Sequence, residues 1–207
     1  MADRSDLNPT SFALLALLAV RSWTTYELAR QVQRSLAWYW PRAASVLYTE
    51  PKKLVARGLA TADRSFEGRR PRTVYTITQA GREALQAWLD TPGQGPSLEF
   101  EALVQVAFGD QGSREQLLRT LRVIHAGAEA RRAEALERMR EYTETGGPFP
   151  ERQPVIALTG KLLLEQAELL ARWSAWAESE VETWHGSPTD GWRVPDGAFQ
   201  LGWPEGF

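Results

Sequence analysis

Tyr26-Glu27-Leu28, Leu47-Tyr48, Lys52-Lys53-Leu54, Arg57-Gly58-Leu59, Arg69-Arg70-Pro71-Arg72 and Val74-Tyr75-Thr76-Ile77-Thr78 follow one another between Tyr26 and Leu85. The first group opens a short helix. The next three lie on another helix that ends at Gly58, a residue suited to a left-handed C-terminal cap. A basic hairpin follows, with Glu67-Gly68 marking the turn, Arg69 to Arg72 at the tip and Val74 to Thr78 as the return strand. Gly81-Arg82-Glu83-Ala84-Leu85 begins a further helix. The order predicts a winged helix-turn-helix: a helix able to enter a major groove, then a cationic loop able to lie on the neighbouring backbone.

Outward from this stretch, Asn8-Pro9 signals the start of a helix over Thr10–Arg21. Its apolar positions surround it almost completely, which predicts a central place in a small domain. Thr24 or Thr25 caps a second helix, Tyr26–Leu36, with Leu28, Val32 and Leu36 inward. Pro41 suits the first turn of a third helix, with Leu47, Leu54 and Val55 inward. Pro71 belongs where no ladder donor is needed, and Thr73, Tyr75 and Ile77 share the inner face of the return strand. Thr78 caps a fourth helix, Gln79–Leu89, with Ala84, Leu85 and Trp88 as its apolar positions.

Thr91-Pro92-Gly93-Gln94-Gly95-Pro96 reads as a linker, and the pattern beyond it is helical to about His185. Helices are expected over Leu98–Phe108 and Ser113–Tyr142. The second of these places Leu117, Leu121, Ile124, Ala128, Ala135 and Met139 on one side. After a Gly/Pro loop at 146–154, Leu163, Ala167, Leu170, Trp173, Ala177, Val181 and Trp184 form a stripe at helical period. The expected organisation is therefore a winged domain (1–90), a linker (91–97), an all-helical dimerisation domain (98–186) and a Gly/Pro-rich tail (187–207). The fold class is mainly α with a small β-hairpin.

Charge divides along the same line. Residues 1–90 hold 13 Lys and Arg against 8 Asp and Glu, and the rest of the chain holds 11 against 18. Only the first part is suited to meet phosphate. Arginine dominates, because Lys52, Lys53 and Lys161 are the only lysines. The chain has no cysteine, so disulfides, thiolate metal sites and cysteine nucleophiles are excluded. The apolar run Phe12–Val20 is far shorter than the roughly 20 residues that span a bilayer. Asp3 and Asp6 spoil the flank that a signal peptide needs. The expectation is a cytoplasmic protein with no membrane segment. His125 and His185, the only histidines, form no ligand motif, and no triad, phosphate loop or carboxylate pair stands out. The chain is not expected to be an enzyme or to carry a cofactor or metal.

The motif set from Tyr26-Glu27-Leu28 to Ala80-Gly81-Arg82, in this order and spacing, resembles the PadR family of bacterial transcriptional regulators. The resemblance is close over about the first 90 residues and loose beyond. It implies a homodimer whose C-terminal helices pair, repressing a nearby promoter and released by a small aromatic or amphipathic effector. The chain departs from the pattern at Thr25 (usually Gly), at Ser45-Val46 (a Gly-Ser pair) and at Thr49 (Pro). Pro51 stands where the family has a core Leu. A helix-interior proline costs about 3 kcal/mol and kinks the backbone, so a bend or a shift in the DNA contacts is expected.

Arg42, Ser45, Tyr48, Thr49, Lys52 and Lys53 are the candidate DNA-facing side chains of the third helix. Arg42 and Ser45 lie early, where base edges are read, and the lysines late, where phosphate is met. Tyr48 either bonds a phosphate or packs between helices, and the resemblance tilts it to DNA. Arg69, Arg70 and Arg72 suit backbone or minor-groove binding. Leu163, Leu170, Trp173, Ala177, Val181 and Trp184 are the expected dimer interface. The nine tryptophans fit either an aromatic effector cavity or core and interface packing, and the second is the simpler reading. The expected function is a dimeric, sequence-specific, ligand-responsive repressor on a palindromic double-stranded operator. The alternative is a winged-helix protein-interaction module without DNA binding.

Overall fold

Asn8 starts the first helix, α1 (Pro9–Val20): its side-chain oxygen accepts the Thr10 and Ser11 N–H groups at 2.9 and 3.1 Å. Pro9 fills the first turn, where its missing N–H costs nothing. The computed structural model describes residues 7–67, 70–186 and 191–193, and the chain divides into two compact units, Met1–Pro96 and Ser97–Phe207. Within the first unit, Leu14, Leu15, Leu17 and Leu18 of α1 are all buried. A helix that is apolar on every side must be covered on every side.

Trp23–Thr24 forms a short strand, β1, and α2 (Thr25–Ser35) follows it directly. Thr24 closes a capping box with Glu27, each side chain bonding the other's backbone N–H. The Thr24 N–H, donated to the Glu27 carboxylate at 2.9 Å, holds that carboxyl below the usual carboxylate range. Leu28 and Val32 turn inward as expected, and Leu36 is half-buried just past the helix end.

The third helix, α3, spans Ala44–Ala56. Pro41 and Arg42 therefore precede it, a correction to the expected start at Pro41. No side chain caps this end, so sequence offered no signal to place it. Leu47, Glu50, Pro51 and Leu54 form its buried face. The helix continues through Pro51, whose apolar ring lies in the core beside the leucines. Gly58 at φ 68° supplies the left-handed turn that ends it.

Glu50 is 2% exposed. Ser11 Oγ of α1 donates to Glu50 Oε1 at 2.5 Å, and Lys53 Nζ lies 3.0 Å from its other oxygen. A buried carboxylate is tolerable only when hydrogen-bonded and paired, and both partners are present. This bond fixes α3 on α1.

Strands β2 (Ala60–Glu67) and β3 (Arg70–Ile77) form the antiparallel wing, and β1 lies on the other side of β3. Because β1 pairs only with Val74 and Tyr75, β3 is open on that side at Pro71, where no donor is missed. Tyr75 and Ile77 are buried. Thr78 caps α4 (Gln79–Leu89) by accepting the Gly81 N–H. Leu85 is buried, while Trp88 stays partly exposed and stacks on Phe12 with centroids 5.0 Å apart. At Gly81 an added Cβ would lie 2.1 Å from the Leu59 carbonyl oxygen and 2.8 Å from Ile77 Cγ1. The glycine lets α4 lie directly on the end of the hairpin.

The second unit is helical. The helix α5 spans Glu101–Ala107, shorter than the expected Leu98–Phe108, and α6 and α7 span Arg114–Thr145 and Gln153–Thr183. Ser113 and Gln116 form a capping box at the start of α6, and Gly146 at φ 75° ends it. The two long helices pack side by side. On α6 the buried residues include Leu117, Leu121, Ile124, Ala128 and Ala135, whereas Met139 is exposed. On α7 they are small: Ala167, Ala171, Ser174, Ala177 and Val181. Ion pairs join the helices at Arg122–Glu178 (2.5 Å) and Arg132–Glu168 (3.8 Å).

This packing corrects one expectation. Ala177 and Val181, assigned to a contact between copies, are buried against Leu117, Leu118 and Leu121 of the same chain, with Trp173 and Trp184 beside them. Leu163 and Leu170 flank that seam half-buried. A different line of α7, Val155, Leu158, Leu162, Leu169 and Trp176, is exposed. The aromatics Trp203 and Phe207 of the tail lie outside the described residues. Among the described residues, no helix is long and apolar enough to cross a membrane.

Two substitutions test what holds the first unit together. Gly81→Ala is expected to lower unfolding free energy by about 2 kcal/mol through overpacking, read as a lower denaturant midpoint at unchanged slope. Glu50→Ala leaves the buried Ser11 hydroxyl without its acceptor and is expected to cost about 2–3 kcal/mol. Glu50→Gln, which keeps an acceptor in the same shape, is expected to lose less in the same denaturation series.

Candidate nucleic-acid interface

Burial of Leu47, Glu50, Pro51 and Leu54 leaves the other face of α3 to solvent. That face carries Ser45, Tyr48, Thr49, Lys52 and Lys53. The positions follow the three-and-four spacing of a helix face, so five of the six residues assigned to this helix stand together. Tyr48 is 44% exposed, which places it on the outer face rather than between helices. The Thr49 hydroxyl donates back to the Ser45 carbonyl at 3.1 Å. Lys53 is steered by Glu50, while Lys52 points outward with no ion pair among the described residues.

Arg42 is the sixth, and it sits in the loop before α3. Its Nε donates to Thr10 Oγ1 at 3.2 Å and one terminal nitrogen to the Pro41 carbonyl at 2.8 Å. The guanidinium carbon lies 4.0 Å from the centre of the Trp40 ring, and the indole N–H of Trp40 donates to the same Thr10 oxygen at 3.2 Å. Arg42 is thus held exposed at the entrance to α3, with other N–H groups left for an acceptor.

On the wing, Arg70 pairs with Glu67 in the ladder and Arg72 with Ser65. Both stand at the open end of β3 rather than in the loop itself, and Arg72 is exposed. Arg69 lies outside the described residues. Sequence reasoning passed over two exposed side chains here. Arg64 stands opposite Thr73 on β2, a position that strand alternation would have flagged. Tyr26, 67% exposed in the first turn of α2, is a large polar-tipped ring left outside the core. The arrangement offers hydroxyl groups and cations to an anionic surface from one helix face, the loop before it and one hairpin.

Residues 14–87 match the model of the transcriptional regulator PadR-like family. The negative transcriptional regulator PadR of Bacillus subtilis is 29% identical over 79 residues, which are 38% of this chain and 43% of that protein. The chain therefore spans less than half the length of this curated relative in sequence. The crystal structure of Bacillus subtilis PadR in complex with operator DNA superposes with a TM-score of 0.71 at 19% identity, covering 84% of this chain and 99% of that one. The structure of the same protein in complex with p-coumaric acid gives 0.63 at 18% identity, over 85% and 98%. These structures share the fold. Residues 14–87 thus match the PadR-like family of transcriptional regulators, the family that the motif set of this chain resembles.

Proposed function

We propose that this chain is a dimeric, sequence-specific DNA-binding regulator that represses transcription and responds to a ligand. The observation that carries the proposal is the exposed face of α3, with Ser45, Tyr48, Thr49 and Lys52 side by side and the arginine-bearing wing next in the chain. A helix face of this kind suits base edges and phosphates in a major groove, and the wing suits the adjoining backbone. Arg42, Lys53 and Arg64 would add phosphate contacts at the margins. A relative named as a negative regulator supports repression. The operator and p-coumaric acid complexes of Bacillus subtilis PadR support DNA and a small effector as partners.

Dimerisation is proposed through α7, but along the exposed line Leu158, Leu162, Leu169 and Trp176 rather than through Ala177 and Val181. Leu163 and Leu170 would border the contact. The spacing of that line, at four, seven and seven residues, is that of a helix seam, and contiguous exposed apolar residues mark association surfaces. Two copies would then present their α3 helices to successive major grooves about 34–36 Å apart on a palindromic site.

Two experiments test this reading. Fluorescence anisotropy with the chain's own upstream DNA and a scrambled duplex is expected to show selective binding that weakens by roughly 10³–10⁵ between about 50 and 200 mM salt. Arg72→Glu is expected to weaken binding to both duplexes alike and to lower the salt slope by about 1. Absence of binding to either duplex at low salt would overturn the proposal in favour of a protein-interaction module. For the dimer, Leu162→Glu is expected to convert it to monomer in sedimentation velocity while the helical circular dichroism is retained. A wild-type chain that sediments as a monomer at micromolar concentration would remove the dimer from the proposal.

A further inference from the structure

We infer that Phe66 of the wing is a minor-groove wedge, an apolar side chain that enters a base step beside the occupied major groove and kinks the duplex there. The inference rests on the DNA-binding reading above and adds to it a contact that carries no charge. Phe66 is 68% exposed near the outer end of β2. Facing residues of an antiparallel pair share one side of the sheet. The register sets Ala60 against Ile77, Ala62 against Tyr75, Arg64 against Thr73 and Phe66 against Pro71. The side that begins as core therefore runs outward along the wing. Ile77 and Tyr75 are buried, whereas Arg64 is already exposed. The core has ended by Arg64, and burial gives no reason for a phenyl ring two residues farther out.

Reach and charge select the partner. Phe66 stands four residues beyond Ala62, the partner of buried Tyr75, which is roughly 13 Å along a strand. The grooves of a duplex repeat every ~34–36 Å, so a minor groove lies about half that distance from the centre of the major groove beside it. The wing covers most of that span. The hairpin carries Arg64, Arg69, Arg70 and Arg72 against Asp63 and Glu67, a surplus that suits phosphate rather than an apolar protein groove. Arg64, on the same side of the sheet as Phe66, would meet phosphate at the edge of the groove while the ring enters it.

Apolar side chains, phenylalanine among them, enter minor-groove base steps in this way, unstacking one step and bending the duplex toward the major groove. Pyrimidine–purine steps yield most easily. Phe66 would thus confer a sequence preference at positions that α3 never touches.

The test uses the full chain and a duplex of its own upstream DNA with a dye at each end, so that energy transfer reports bending and anisotropy reports binding. The parent chain is expected to bend the duplex by at least roughly 20°. Phe66→Ala is expected to abolish the bend and to weaken binding about tenfold. Its salt slope should match the parent's, because no phosphate contact is lost. Phe66→Leu, still an apolar wedge, is expected to keep most of the bend. Both variants should share the parent's denaturant midpoint, since the ring supports no core. A parent chain that binds without bending the duplex, or a Phe66→Ala variant that binds and bends it like the parent, would overturn the inference and leave the DNA-binding reading standing. A parent chain that binds no duplex at low salt removes both.

Discussion

The first unit is organised by the need to cover α1. A helix of Leu14, Leu15, Leu17 and Leu18 with apolar residues on every side cannot be left at a surface without exposing several hundred square ångströms of hydrocarbon. Each neighbouring element presents an apolar side to it: Leu28 and Val32 on α2, Leu47 and Leu54 on α3, Leu85 on α4, and Tyr75 and Ile77 on the sheet. The faces not used for this purpose are what the protein offers to its surroundings. On α3 that remainder is Ser45, Tyr48, Thr49, Lys52 and Lys53. The groove-facing surface is therefore a consequence of core packing, and the Ser11–Glu50 bond fixes which way it turns. One slip of α3 around its axis would bury a lysine and expose a leucine.

Much of this was legible in the chain because short-range chemistry carried it. Asn8-Pro9, Thr24 with Glu27, Gly58 and Thr78 are local signals, and each marks a boundary that the structure shows within a residue. The start of α3 carried no such signal. Ala43 offers no capping side chain, and Pro41, a good first-turn residue, was the natural but mistaken choice. Arg42 was misplaced with it, since its position depends on Thr10 and Trp40, both distant in sequence. Pro51 was expected to bend the helix or to shift its DNA contacts, because propensity treats helix-interior proline as costly. Its buried ring, set between Leu47 and Leu54, shows packing outweighing the lost hydrogen bond.

In the C-terminal unit the period was legible but the partner was not. A stripe at helical spacing says that a face is buried, and it does not say against what. Sequence reasoning gave large and small residues of α7 alike, Leu163, Leu170, Trp173, Ala177, Val181 and Trp184, to a second copy. The structure turns the small ones, Ala167, Ala171, Ser174 and Ala177, toward α6, because small side chains let two long helices approach closely along their length. The larger residues are left at the margins of that seam or outside it. This sorting by size explains why one helix carries two apolar lines: one finished within the chain, and one left to be finished by association.

A tryptophan-lined cavity lies where α5 ends at Ala107, beside Trp173 and Trp176 of α7 and its C-terminal cap, Trp184. Indole rings standing at an angle leave space that an aliphatic core would close. The electrostatics of that space follow from the acidic balance of the second part of the chain, where 18 carboxylates face 11 basic groups. With its arginines drawn into interhelix pairs and helix-end carbonyls, the lining keeps Asp110 and Glu180 as its net charge.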